Sequence, residues 1–509
     1  MNPKPSWDYP EQEITAQPFP VDLASLRPKP PGLIEGSWPP TQLIYLGLYL
    51  GKLGCKTIVV EAHYVDRDYI HDHALFYARS LRDYSNACER WHYFSDAITA
   101  EQWSQRFQNA SEKTRAEYEQ QLQQSYLGFT VMRPLPGSPV GRTVLRTYGS
   151  PTDSGDTHLF PTVRDYPVHL AGMKLIVPGL AFQQQDQGVS ACATTALWSA
   201  LQNVARLEEL HVPTPAEITQ AASRYLLSSS VGRALPSEGL TIQQLCEATR
   251  AAGLHPLVLP STSVEDDRAQ ILGYISSGFA PVLTIRPELG DEAHAVCGVG
   301  IKLGTVPPQT DLNLRFQDGA AALRTVYIHD DRLGPYAAAH VAPWTLAKGN
   351  RIATGLTIDW PDLAVPAELS LLLATIVPLP EKLRMPLRRV RDLGLALAQR
   401  TGKLLAPYGV KVILHCRFRT AVDYGRAAFG FGLTDEGLYK LVCKTVLSRY
   451  IGVIELSSNN GRLYDLLLDA TETRANPSAL AFVRHPKFPA ACLPNLGAIA
   501  KTFGTILVA

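Results

Sequence analysis

The chain has 509 residues, with 48 basic against 47 acidic side chains, a net charge of +1, and 46% hydrophobic and 19% charged residues. That balance excludes a disordered polymer and offers no excess positive charge for a nucleic acid or an anionic membrane. Length sets an expectation of about three domains, and the eight cysteines, with no C-x-x-C pair, read as reduced thiols of a cytoplasmic protein and not as a disulfide framework or a zinc site.

Ten prolines fall among the first 40 residues, and no apolar signal-peptide core follows Met1, so residues 1–40 are expected to form an extended arm. The most apolar early stretch, 43–60, is broken by Lys52 and Lys56, which argues against a membrane span. From 41 to 177 the pattern predicts an α/β domain. It opens with a helix at 42–52 stopped by Gly54, a buried strand at 57–61 and an aromatic-rich helix at 67–84. A polar helix at 100–124 and strands at 129–133 and 143–147 follow. His63, Asp66, Asp68, His71 and His73 make a dense group of potential ligands. An Asp opening a helix is ordinary capping chemistry, however, and no metal or cofactor is expected.

The third segment, 178–345, carries the chemistry. In Gln183-Gln184-Gln185-Asp186-Gln187-Gly188-Val189-Ser190-Ala191-Cys192, glutamines lead up to a cysteine, and apolar residues then recur at Ala193, Leu197, Ala200, Leu201, Val204 and Leu207. That period predicts an amphipathic helix with Cys192 in its first turn, where unpaired N–H groups and the helix dipole favour a thiolate. Thr214-Pro215-Ala216-Glu217 is a capping box with Pro at the first helical position, Thr241 with Gln244 repeats the signal, and a third helix is expected at 268–276 before a strand at 281–285. His294 opens the apolar run Ala295-Val296-Cys297-Gly298-Val299-Gly300, which reads as a buried strand, a fixed platform for a base. Cys297 lies inside that run and is a poor rival nucleophile. The strand at 324–329 ends in Asp330-Asp331, either of which could hold the imidazole in the needed tautomer. Between the two strands lies a polar insert, 304–322; with the segment 228–238 it is expected to line the cleft.

In these residues the chain resembles the papain-like cysteine peptidases, in the broad sense that includes the bacteriocin-processing and related bacterial peptidases. Asp186-Gln187-Gly188 with Cys192, the run from His294 to Gly300, and Asp330 carry the likeness, over roughly a third of the chain, about 178–344. The resemblance implies Cys192 as nucleophile, His294 as general base, Asp330 as the orienting carboxylate and Gln187 as an oxyanion donor. Gln187 stands one residue nearer the cysteine than in papain, which leaves Gln185 as an alternative donor, and the long His294–Asp330 gap leaves Asp331 as an alternative third member. The implied fold is α+β, a central domain of helical lobe plus antiparallel β lobe flanked by two smaller α/β or α+β domains. The implied activity is hydrolysis of a protein or peptide amide or isopeptide through an acyl-thioester. Transfer of the acyl or glutamyl group to an amine, and a non-catalytic binding or regulatory module of the same shape, are the other readings. Since about 177 residues precede the catalytic segment, the N-terminal region is expected to limit access to the cleft.

In the last segment, 346–509, strands are expected at 351–358, 371–377, 410–414, 451–456 and 463–468 with a helix at 388–400, again α/β or α+β. Neither flank carries internal repeats, a phosphate loop or a nucleotide fingerprint.

Overall fold

The structure, a computed structural model, describes residues 13–27, 29, 33, 38–108, 111–149, 156–186, 188–224, 239–288, 290, 292–308, 311, 313–345, 352–360, 367–472, 478–493, 496–497 and 507–508. The N-terminal part contains β1 (Ile14–Pro18), α1 (Thr41–Lys52), β2 (Thr57–Tyr64), α2 (Arg67–Leu75), β3 (Cys88–Phe94), α3 (Ala100–Gln105), α4 (Glu112–Ser125), β4 (Tyr126–Met132) and β5 (Val140–Leu145). Its five strands pair antiparallel in the order β1-β2-β3-β4-β5, so this part is α+β and lacks the parallel sheet that a helix–strand–helix opening suggests. The proline-rich arm is also more than a tether. Ile14 to Pro18 pair with Glu61 to Thr57, and Ala16 and Leu23 are buried. β3 escapes a sequence reading because Glu89, Arg90 and His92 interrupt it. Arg90 and His92 are nonetheless buried, where both reach the Glu61 carboxylate, at 2.6 and 3.4 Å, since buried charge persists only when paired.

The middle of the chain supplies β6 (Thr157–Leu159), the hairpin β7 (Arg164–Leu170) and β8 (Met173–Gly179), α5 (Cys192–Leu207), α6 (Pro215–Ser223), α7 (Ile242–Ala251), β9 (His255–Pro260), α8 (Val264–Ser276), β10 (Val282–Pro287), β11 (His294–Leu303), β12 (Phe316–Asp318), β13 (Leu323–Asp330), β14 (Gly334–Thr345), β15 (Ile352–Ile358) and β16 (Glu368–Leu379). The strands run β10-β11-β13-β14-β15-β16, and β16 pairs back onto β10, Val282 opposite Ile376. This closes an antiparallel ring, to which β9 adds on β16 and β6 on β11. Leu283, Ile285, Val296, Val326, Ile328, Ala339, Leu356 and Leu372 form its apolar filling, joined by Ile271 and Ile275 of α8.

A third sheet follows, with α9 (Leu387–Leu405), β17 (Val412–Thr420), α10 (Ala421–Ala428), β18 (Tyr450–Ser458), β19 (Gly461–Asp469), β20 (Ala479–Arg484) and β21 (Leu507–Val508). Its order is β12-β17-β18-β19-β20-β21, parallel at the two outer pairs and antiparallel between.

These pairings redraw the boundaries expected from sequence. The division at 345/346 cuts the closed ring, because β15 and β16 complete it. β6, expected in the N-terminal domain, pairs with β11. The insert 304–322 sends β12 into the C-terminal sheet, Phe316 opposite Val412. That places β12 beyond the Leu303 end of β11, away from His294, so the described residues of the insert do not line a cleft at the candidate site. The other expected cleft segment, 228–238, lies outside the described residues. One apolar cluster runs through all three parts, from Ala16 to Leu496, so the parts share a core. Among the described residues, no helix is long and apolar enough to cross a membrane.

Candidate active site

Cys192 is the first residue of α5, and the N-cap residue Ala191 offers no side chain to the helix end, nor does the first turn contain an acidic group. The opening N–H groups are therefore left for another acceptor, and the half-buried Cys192 thiol stands where the dipole favours negative charge. The helix itself differs from the amphipathic one expected. Every residue from Ala193 to Ala205 is buried, and its polar side is satisfied internally. Thr194 shares a hydrogen bond with Thr219 at 3.2 Å, Ser199 donates to the Ala181 carbonyl at 2.8 Å, and Asn203 donates to the Gly278 carbonyl at 3.1 Å. A helix so enclosed is a rigid mount for its first residue.

The loop before the cysteine is held by Asp186. Its Oδ1 accepts from the backbone N–H groups of Gly188, Val189 and Ser190 at 2.8, 2.7 and 3.3 Å, and its own N–H donates to the Ser190 carbonyl at 2.9 Å. Gln183 and Gln184 are buried and engaged, the first with Ser190 Oγ at 3.4 Å, the second with the Val140 N–H at 3.2 Å and the Gly137 carbonyl at 3.3 Å. Gln185 is exposed, and Gln187 lies outside the described residues.

His294 begins β11 and Asp330 ends β13. The register sets Gly298 opposite Ile328, and strand alternation then carries 294 and 330 to the same face of the sheet. The two side chains meet, His294 Nε2 to Asp330 Oδ1 at 3.0 Å, with Asp331 Oδ1 at 3.5 Å from the same nitrogen. The Cys192 side chain stands close enough to the His294 ring to act on its titration, and with Nε2 given to Asp330 the nitrogen left to face a thiol is Nδ1. Three residues distant in sequence, Cys192, His294 and Asp330, are thus brought together, the last two hydrogen-bonded, with Asp331 beside them.

The electrostatics follow from burial and charge. Burial alone would lower the His294 pKa, but Asp330, Asp331 and the neighbouring Cys192 outweigh it and raise it to about 10. Burial opposes charge on Asp330 as well, yet His294 and Arg332 hold its carboxyl well below the usual range. Burial dominates at Asp331 and, with the neighbouring Asp330 charge, raises its pKa to about 6; its Oδ2 is buried without a partner. Two carboxylates on one imidazole are thereby differentiated, Asp330 an anion well into acid, Asp331 ionised only above about pH 6.

Arg332, which the sequence gives no role, proves to be part of the site. It donates from Nε to Asp330 Oδ1 at 3.1 Å and from Nη2 to Asp330 Oδ2 at 2.8 Å, and Glu368 holds its other side at 3.0 Å. His294, Asp330 and Asp331 are the one group among the described residues whose ligand atoms lie within 4.8 Å of one another. The guanidinium on both Asp330 oxygens and the hydrogen bond on Nε2 make it a poor cation site. The His63 to His73 group is dispersed. Asp66 caps α2 and pairs with Arg142 at 2.5 Å, His71 bonds Thr214 at 2.8 Å and His73 bonds the Tyr84 carbonyl at 2.9 Å. Cys297 is fully buried and its thiol is pushed far up by burial.

No protein-family model matches the chain, and a search of curated proteins found no match.

Proposed function

We propose that this protein is a thiol hydrolase of the papain-like kind that cleaves an amide or isopeptide bond in a protein or peptide. The observation that carries the reading is the hydrogen bond between His294 and Asp330 with Cys192 beside the ring, its thiol at an uncapped helix start. The raised His294 pKa favours an imidazolium beside the thiol. In the proposed reaction the Cys192 thiolate attacks the carbonyl carbon, the C–S bond forms, and the oxyanion is met by the Cys192 backbone N–H and a glutamine amide, Gln187 or Gln185 by resemblance. Collapse breaks the C–N bond as His294 gives its proton to the leaving amine. Water then loses a proton to His294 and attacks the thioester, the C–S bond breaks, and the acid is released. Asp330 keeps the imidazole aligned throughout.

The test is labelling with a dilute thiol-reactive probe from about pH 4 to about pH 9, read by peptide mass spectrometry on the wild type, Cys192→Ala and His294→Ala. Rapid labelling of Cys192 at the acid end, lost in His294→Ala, is expected, followed by turnover of peptide or isopeptide substrates. Labelling of Cys192 no faster than of the exposed Cys443 would sink the reading. An amine acceptor added to the turnover assay separates hydrolysis from transfer.

A further inference from the structure

We infer that the N-terminal sheet and helices act as a bracket on both halves of this site, with Arg133 and Gln42 as positioning residues that set the approach of Cys192 to His294. The inference rests on the thiol hydrolase reading and replaces the access-limiting role expected for this region.

One arm of the bracket holds the nucleophile loop. Arg133 follows β4, is 2% exposed, and reaches across to donate to the Gln184 carbonyl at 2.9 Å while pairing with Asp186 Oδ2 at 3.4 Å. It is itself fixed, its Nε donating to the Ser138 carbonyl at 3.1 Å and its own carbonyl accepting from Arg27 at 3.0 Å. Just beyond α2, the Phe76 ring and the Tyr77 hydroxyl lie so close to Gly188 that a Cβ there would sit 2.7 and 2.9 Å from them. Asp186 is therefore the shared node. One oxygen gathers three loop N–H groups, and the other faces the N-terminal arginine. Five residues separate this node from Cys192.

The second arm holds the carboxylate turn. Gln42, on the first turn of α1 and 7% exposed, donates from Nε2 to the Asp331 carbonyl at 2.7 Å. Tyr45 of the same helix presses on Gly334, where a Cβ would lie 2.2 Å from its ring. Gly334 pairs with Asp330 across the turn. Neither Arg133 nor Gln42 reaches Cys192 or His294, so both act through the loop and turn they hold. Misplacement of about 1 Å between reacting groups costs up to about a hundredfold, which makes such remote contacts kinetically visible.

The test uses the full chain and the labelling of Cys192 against pH, with Cys443 as internal reference. Arg133→Lys keeps the charge but cannot serve the Gln184 carbonyl and Asp186 together with one planar group, and Gln42→Leu removes one hydrogen bond at nearly constant size. Arg90→Lys disturbs the same sheet at its Glu61 pair, away from the site, and serves as the stability control. Cys192 labelling slowed about tenfold in Arg133→Lys and several-fold in Gln42→Leu, with a displaced pH profile and the Arg90→Lys profile unmoved, is the expected result. Should Arg133→Lys fail to fold, Gln42→Leu, which leaves only a backbone carbonyl unpaired, decides the matter alone. Folded variants with the wild-type rate and profile, or equal slowing in Arg90→Lys, overturn the bracket while the hydrolase reading stands. A wild type in which Cys192 is no faster than Cys443 takes down both.

Discussion

At the scale of single residues, the site turns on two carboxylates that share a histidine and behave differently. Because the folded His294 pKa is raised to about 10, the stability its charged form contributes is complete below the ordinary histidine value of about 6.5 and is lost as pH rises through about 10. We expect the alkaline limb of kcat/KM to fall there, and Asp331→Asn, which removes one of the charges raising it, to move that limb to lower pH; a limb that stays in place would show that Asp331 has no electrostatic hold on the ring. Asp331 is itself raised to about 6, so between the unfolded value near 3.9 and about 6 the folded state holds the extra proton, and stability declines with rising pH across that window. Urea titrations should therefore find Asp331→Asn gaining on the wild type by on the order of 2 kcal/mol at neutral pH, with the gain vanishing near pH 4. Cys192, His294 and Asp330 were legible in the sequence because each sits at an element boundary that local signals mark. The oxyanion donor was not, since it depends on how a glutamine-rich loop folds, and Arg133 and Gln42 were not, because nothing near them in sequence points to a loop more than 50 residues away or a turn 289 residues away.

At the scale of elements, what sequence foretold best was what local chemistry decides. Thr214 and Thr241 open α6 and α7 with reciprocal capping boxes, as their spacing required. Thr214 also shares a hydrogen bond with His71 of α2 at 2.8 Å, so Thr214→Ala is expected to cost about 1–2 kcal/mol, measured by chemical denaturation; a loss near zero would mean the helix start needs no cap. Strand pairing was harder to read. β1 hides in a proline-rich segment, β3 carries an arginine whose partners, Glu61 and the His169 carbonyl, lie elsewhere in the chain, and β12 sits in a polar insert whose partner, β17, lies almost 100 residues on. β11 shows how tightly such pairings are fitted. A Cβ at Gly300 would lie 2.3 Å from the Phe160 ring and 3.0 Å from the Leu159 carbonyl, so Gly300→Ala should destabilise the protein by about 2 kcal/mol through overpacking, which thermal melting would register.

At the scale of the whole molecule, the segments expected to be separate domains exchange strands and share a core. A fragment spanning 178–345 keeps Cys192, His294 and Asp330 but lacks β15 and β16, without which β10 and β14 lose partners and their backbone groups would be left open. Such a fragment is expected to show no cooperative urea transition and no near-ultraviolet dichroism, whereas a cooperative fold would mean that the ring closes without its last strands. The closing pair has a further consequence in time. Val282 meets Ile376 across nearly a hundred residues, and β6 meets β11 across more than 140. Contacts so distant in sequence slow folding, because the loop entropy is lost before the contacts form. A nascent chain emerging at about 5–20 residues per second would therefore expose the His294 strand and its apolar partners for several seconds before β16 arrives, and it is in that interval, more than in the finished molecule, that this protein is open to aggregation.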